Sequence, residues 1–339
     1  MKEIQIHATN INGLGAINVA NAIIKTLLLN DDVIIKGIHS SKDITNTSKS
    51  TIFSLYQRFL PNYISRFIEI IFSRFIFENI PTLVLGDIPL RGINNQILYV
   101  HQPNLVKPKV NHFSSSSLKY RILRFLFSYN LSYVKSIIVQ TDYMKENLIK
   151  SYKNLNCPVL VLPLPPINIK QDNWENKIEK QIKLIYPASF YPHKNHDFLY
   201  RLEKHTNNYE IWVTLEDKDF QKFKHLKFVK NLGLLSHKEV ISKYKEANAL
   251  VNFSNLESFC LPLVESIYLN IPILTIDRDY SRWMCEDFAY YFKDTKTFEK
   301  SLNNLEGDLK ADKLKPLYKA KNKFKYTWND VANKMISAL

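Results

Sequence analysis

Short, dense apolar runs rich in Val, Ile and Leu recur along the chain between longer amphipathic stretches. Such runs predict strands buried on both faces. In the first half they fall at Glu3–His7, Val33–Gly37, Thr82–Leu85, Ile97–Tyr99 and Ser136–Gln140. In the second half they fall at Lys183–Pro187, Glu210–Val213, Lys227–Val229, Ala249–Asn252 and Ile273–Thr275. Strands alternating with helical segments predict an α/β architecture of parallel sheets covered by helices. Between the halves, Pro158, Pro163, Pro165 and Pro166 interrupt regular structure, and a polar stretch follows. The hinge is therefore placed near 165–180, dividing the chain into domains 1–165 and 166–325. The segment Tyr326–Met335 reads as a capped terminal helix, with Thr327 or Asn329 as N-cap, and 326–339 is expected to pack back on the first domain.

Composition narrows the class. With 45% hydrophobic and 23% charged residues over 339 positions, the chain has enough apolar material for two packed cores and is too apolar for disorder. The three cysteines, Cys157, Cys260 and Cys285, lack metal-site spacing, which points to a reducing compartment. The first residues read as a strand and not as a signal peptide, and no long apolar stretch predicts a membrane span. A cytoplasmic protein, soluble or peripheral, is the expectation. The net charge of +14 suits phosphate-bearing ligands or anionic lipid; an abundance of Lys, Asn and Ile throughout makes part of it ordinary surface. No nucleic-acid module is recognisable, so nucleic acid is not an expected partner.

The segment Asn255–Glu265 carries the strongest chemical signal. A buried strand runs into a short turn, and a helix opens with Pro262 near its first position. Free backbone N–H groups at such a helix start suit a diphosphate, with Ser258, Phe259, Cys260 and Leu261 lining the turn. Glu257 and Glu265 lie eight residues apart on either side of it. Ionised carboxylates accept strong hydrogen bonds and would grip sugar hydroxyls. On a surface helix the same pair would be two solvated glutamates; the strand, turn and proline-started helix favour a site. Asn12-Gly13-Leu14-Gly15 follows the first strand and opens an apolar helix, a weak glycine turn that lets a ligand approach the backbone. His101, at the carboxyl end of a strand and beside Pro103, would face the ligand edge of an open parallel sheet, with Asp87 a weaker candidate. Thr141 and Asp142 read as a helix cap.

Taken in order, these segments resemble the two-domain retaining glycosyltransferases of family 4. Asn255–Glu265 is similar to that family's E-x7-E signature. Ser189–His196 resembles its loop after the first strand of the second domain, where a basic residue meets the donor phosphates, here Lys194. Asn231–Val240, including Leu234, resembles the segment whose backbone meets the nucleobase. Tyr326-Thr327-Trp328 resembles the start of the C-terminal helix. The resemblance implies a GT-B fold, two Rossmann-like domains with parallel sheets facing across a cleft. It implies donor contacts at Gly13, Gly15, Ser189, Lys194, Leu234, Glu257, Ser258, Phe259, Cys260, Leu261 and Glu265. His101, Lys194 and Glu257 are the implied catalytic residues. Lys194 and the helix start near Leu261 would receive the diphosphate, Glu257 the sugar and Glu265 the ribose. The donor would be a UDP- or GDP-linked sugar and the acceptor a saccharide or lipid-linked saccharide of bacterial surface polysaccharide. No cofactor or metal is implied, although Asp277-Arg278-Asp279 and Asp217-Lys218-Asp219 have the outline of a D-x-D motif.

One position departs from the family. Ser189 stands where an Arg usually lies five residues before the phosphate lysine. Serine cannot supply a guanidinium's bidentate grip. Lys194 alone, His193 or another basic residue must carry that charge, or the chain is a nucleotide-sugar-binding subunit without turnover. Separately, Phe53, Tyr56, Phe59, Tyr63, Phe67, Phe72, Phe75 and Phe77 mix with Arg58, Arg66 and Arg74, and 119–127 repeats that chemistry. Aromatic and basic side chains on helices suit an anionic bilayer, although several must serve as core.

Overall fold

The computed structural model describes every residue except 12, 41–43, 45–52, 56–61, 107–114, 168, 170–173, 177–180 and 205–208, and omits the side chains of 53–55, 62–63 and 115–117. Asn12, Phe53, Tyr56, Arg58, Phe59 and Tyr63, singled out above, thus fall outside the described side chains, as does much of the polar stretch after Ile167. The chain forms two compact units, Met1–Ile167 with Tyr326–Leu339, and Asn168–Lys325.

The first unit is built on strands β1 (Lys2–Ala8), β2 (Val33–Ser40), β3 (Phe53–Leu55), β4 (Thr82–Val84), β5 (Gln96–Tyr99), β6 (Val134–Val139) and β7 (Val159–Val161). They pair in parallel in the order β3-β2-β1-β4-β5-β6-β7. The second unit has β8 (Ile182–Tyr186), β9 (Tyr209–Val213), β10 (Val229–Asn231), β11 (Ala249–Asn252), β12 (Ile273–Ile276) and β13 (Tyr290–Phe292). These are also parallel, ordered β10-β9-β8-β11-β12-β13. Counting within each unit, both sheets run third, second, first, fourth, fifth, sixth, and the first adds a seventh strand at its end. That is the doubly wound order, whose strand direction of travel reverses between β1 and β4 and between β8 and β11. The central strands β4, β5, β11 and β12 are buried at every residue, as expected where helices cover both faces.

Three strands escaped the sequence pattern: β3, β7 and β13. Each is three residues long and lies at a sheet edge. An edge strand pairs on one side only and needs no long apolar run. β7 sits in the proline-rich linker because the edge tolerates it: Ile137 N donates to Pro158 O at 2.9 Å, and Leu162 N to Val139 O at 2.8 Å.

The core of the second unit is aromatic. Phe198, Phe253, Phe292 and Phe298 pack ring against ring with centroids 5.1 to 6.2 Å apart. Such pairs add about 0.5–1.5 kcal/mol each beyond area burial. Phe253 immediately follows β11, so this packing also fixes where the next loop begins.

The terminal helix, Trp328–Ala338, belongs to the first unit. Of the two candidate caps, Thr327 is the one used, in a reciprocal capping box with Asp330. Val331, Ala332, Met335 and Ile336 are buried, packing toward the helix Leu14–Leu28. Lys2 Nζ donates to Ile336 O at 3.0 Å, and Trp328 Nε1 to Pro166 O at 3.3 Å. Met335→Ala is expected to cost the first unit about 2–5 kcal/mol, the usual range for truncating a buried side chain, measured by denaturant unfolding against the wild type.

Candidate functional site

In the second unit the site grows from the switch point between β8 and β11. β8 ends at Tyr186, and the chain turns through Ser189 into a 3-10 turn, Pro192–Lys194. Asn195 closes that turn in the left-handed region at φ 56°, which Asn tolerates better than most residues. Ties fasten this loop to the one after β11. Tyr186 Oη donates to Lys194 O at 2.5 Å and lies 3.1 Å from Ser254 Oγ. Asn195 Nδ2 donates to Phe253 O at 3.2 Å, and Asn255 N to His193 O at 2.7 Å. Two loops far apart in sequence therefore behave as one piece.

That piece brings Lys194 and Glu257 together. Lys194 Nζ donates to Glu257 Oε1 at 2.6 Å, with the side chains only 19% and 11% exposed. Burial works against the Lys194 ammonium, but the Glu257 charge and hydrogen bond outweigh it and hold the amine above its ordinary value. The neighbouring His193 is pushed below its ordinary value by burial, and Lys194 adds to the effect while Glu257 opposes it. His193 is therefore less readily charged than an ordinary histidine. Ser189 is exposed in its turn.

The helix Leu261–Leu269 starts beside this pair, with Cys260 as N-cap and Pro262 in its first turn. Phe259 and Cys260 are buried and Ser258 and Leu261 half-buried. Burial and the Glu257 charge push the Cys260 thiol up to about 12 despite Lys194, so it stays protonated and is a poor nucleophile. Glu265 lies inside the unit, 3% exposed. His237 Nε2 sits 2.8 Å from Glu265 Oε1, and Tyr244 Oη donates to Glu265 Oε2 at 2.9 Å. Neither partner was found from sequence. The signal present was Ser236 and Glu239, which form a capping box and set the helix His237–Glu246. Leu234 is exposed, next to Gly233 at φ 74°.

The remaining candidates belong to the first unit. Gly13 caps the helix Leu14–Leu28 at φ 90° and ψ 139°, a conformation that disfavours a side chain, while Gly15 is exposed in the first turn. Buried Asp87, at φ 68°, accepts from His101 N at 2.6 Å and Gln102 N at 2.9 Å. Its oxygen Oδ1 also lies 3.3 Å from His101 Nδ1. Asp87 thus shapes the turn that carries His101. Thr141 caps the helix Asp142–Ser151. Sequence reasoning missed a buried pair at the end of β1: His7 Nε2 lies 2.5 Å from Glu69 Oε1, which also accepts from Thr9 Oγ1. Of the two D-x-D outlines, Asp277 is held by Arg282 through two bonds of 2.7 and 2.9 Å, and Asp217 and Asp219 open an exposed short helix. Among the described residues, no three His, Cys, Asp or Glu side chains gather as a metal set, and no helix is long and apolar enough to cross a membrane.

Two doubly wound units of this topology define the GT-B fold class. Residues 168–313, nearly the whole second unit, match the family model of the glycosyl transferases group 1. Among curated proteins it is similar to the O-antigen chain mannosyltransferase RfbU of Salmonella typhimurium, 23% identical over 230 residues. That match covers 65% of this chain and 62% of the relative's length. Among solved structures, HepE of Anabaena with UDP-glucose superposes with a TM-score of 0.72 at 13% identity over 100% of both chains. WaaG, a glycosyltransferase of lipopolysaccharide biosynthesis, gives 0.66 at 12% identity over 98% of each. The lipopolysaccharide outer core galactosyltransferase WaaB gives 0.65 at 14% over 100% of each. At these identities the structural likeness speaks to the fold.

The Glu265 contacts make a pH prediction. The hydrogen bond that His237 donates to Glu265, and then the Glu265 charge, raise His237 above its ordinary 6.5, against burial. A raised folded-state value stabilises fully below pH 6.5 and is lost as pH climbs through that raised value. The stability difference between wild type and His237→Asn should therefore shrink from pH 6 to pH 9 in paired thermal melts. A difference that stays constant with pH would refute the charged pair.

Proposed function

We propose that this chain is a retaining, metal-independent glycosyltransferase. It moves a sugar from a UDP- or GDP-linked donor to a saccharide or lipid-linked acceptor of bacterial surface polysaccharide. The observation that carries the reading is the Lys194–Glu257 pair at the switch point of a unit that matches the glycosyl transferases group 1 model. Open α/β sheets bind ligands at the carboxyl ends of strands where the order reverses. An ammonium there, beside a helix start, would stabilise the diphosphate as negative charge develops on it. Glu257 would share its free oxygen with sugar hydroxyls, and Glu265, held from inside by His237 and Tyr244, with the ribose. Retention by attack on the face of departure needs no protein nucleophile, consistent with a protonated Cys260. The first unit would take the acceptor, with His101 and the Gly13 turn reaching the donor. The similarity to RfbU supports the surface-polysaccharide context.

Thermal shift with UDP, GDP and ADP should pick out one nucleotide; at 100 times its Kd it adds about 2.7 kcal/mol. With the matching donor sugar, NMR of the product should show the donor's anomeric configuration, and EDTA should leave turnover unchanged. Lys194→Met should lower kcat by about 100-fold or more, as for removal of one charge-stabilising donor. Inversion of the anomer, or loss of turnover with EDTA, would overturn the mechanism. Nucleotide binding without turnover on any acceptor would make the chain a binding subunit.

The lipid-linked acceptor has support in the first unit's surface. The helix Asn62–Ile71 buries Ser65, Glu69 and Ile70 and turns Ile64 and Phe67 outward. Beyond it, Phe72, Phe75 and Arg74 are exposed, Phe75 at 83%. Phe77, by contrast, is core, packed on His7 and His39. On the helix Ser115–Tyr129, Leu118, Ile122, Phe125 and Tyr129 are exposed beside Lys119 and Arg121, whereas Leu126 and Phe127 are core. Arg91 joins the two faces: its N–H donates to Ile70 O at 3.0 Å, and its guanidinium lies 4.6 Å over the Tyr129 ring. Each basic group near an anionic bilayer contributes about 1 kcal/mol. The chain should co-sediment with phosphatidylglycerol vesicles more than with phosphatidylcholine vesicles, and Phe75→Glu with Phe125→Glu should abolish this at unchanged Tm. Equal binding to both vesicles, or none, would remove the surface from the proposal.

A further inference from the structure

The site in the second unit has a charge deficit. Lys194 is matched by Glu257 at 2.6 Å, so the pair is close to neutral, and burial disfavours the charged form of the neighbouring His193. A nucleoside diphosphate brings two or more negative charges, more than one helix start offsets. Another cation is needed, and the loop after β12 places one.

Arg278 stands two residues beyond β12, the strand beside β11. Its Nη2 donates to Asn255 Oδ1 at 2.8 Å and its Nη1 to the main-chain oxygen of Asp277 at 3.0 Å. Both acceptors are neutral. The Asp277 carboxylate is occupied by both Arg282 bonds, and Lys293 lies 3.8 Å from it. Among the described residues, Arg278 joins no ion pair, unlike Lys194, Arg282 and Lys293. Asn255 is also the residue whose own N–H holds His193 O at 2.7 Å. One side chain therefore separates the guanidinium from the loop that carries Lys194, on the carboxyl edge of three adjacent strands, β8, β11 and β12.

We propose that Arg278 is the second cation of the diphosphate site, giving up its bond to Asn255 to grip phosphate oxygens. The proposal rests on the donor-site reading above and adds a residue to it. A guanidinium suits the task because its fork meets two phosphate oxygens at once and cannot lose its proton. It also accounts for how a chain with Ser189 at the usual arginine position could hold a diphosphate. The plainer role, a tie between the β11 and β12 loops, makes different predictions.

The test is calorimetric titration of the full chain with UDP and GDP, and with uridine and guanosine as uncharged controls. Arg278→Ala should raise the diphosphate Kd at least about tenfold, equivalent to about 1.4 kcal/mol, and leave the nucleoside Kd within about twofold. Asn255→Ala removes the tie but keeps the guanidinium, so its diphosphate Kd should stay within about threefold of wild type. If Asn255→Ala weakens the diphosphate as much as Arg278→Ala, or if Arg278→Ala weakens nucleoside and diphosphate alike, Arg278 is only a tie. If Lys194→Met weakens diphosphate binding and Arg278→Ala does not, this inference fails and the donor-site reading stands. If neither diphosphate binds the wild type, the donor-site reading itself fails.

Discussion

An ammonium and a carboxylate held 2.6 Å apart, both mostly out of water, lose hydration that only close, fixed geometry can offset. Lys194 and Glu257 are 63 residues apart, so nothing local holds them there. What does is the switch in strand order between β8 and β11, which sets their two loops side by side at the carboxyl edge of the second sheet. The bonds from Tyr186, Asn195 and Asn255 then lock one loop to the other. Behind them the Phe198, Phe253, Phe292 and Phe298 cluster keeps the start of the β11 loop from shifting. The pair is thus the visible end of a chain of constraints that begins with sheet topology.

The same economy runs through the second carboxylate. Glu265 is buried on a helix that also buries Leu263, Val264, Ser266, Ile267 and Leu269. A lone carboxylate there would be costly, and His237 and Tyr244 each take one of its oxygens. Those partners come from a separate helix whose start is written in a capping box. The site therefore combines an ion pair fixed between two loops with a carboxylate anchored from inside the fold.

The first unit solves a different problem with the same sheet order. Its helix Asn62–Ile71 is tied down by the Glu69 contact to His7 at the end of β1, so its other face is left apolar and exposed. Sequence composition alone showed aromatic and basic residues mixed together. Packing decides which aromatics are core and which are surface: Phe77 goes inward against His7 and His39 and Phe127 against Tyr152, while Phe75 and Phe125 face outward.

Read along the chain, the runs of Val, Ile and Leu were enough to place the central strands, because a strand buried on both faces is mostly apolar and its few polar residues, such as Gln96 and Asn252, are hydrogen-bonded inside. Thr327 and Pro262 were legible for a similar reason, since helix ends are satisfied by neighbours a few residues away. The edge strands β3, β7 and β13 were not legible, because pairing on one side imposes no long pattern. Nor were the pairs that make the site. That Lys194 meets Glu257, that His237 and Tyr244 grip Glu265, and that Arg278 reaches Asn255 are facts of which loops the strand order brings together. Local residues determine local hydrogen bonds and burial; contacts between distant carboxylates and cations exist only once the sheet has been assembled, and only the tertiary structure decides them.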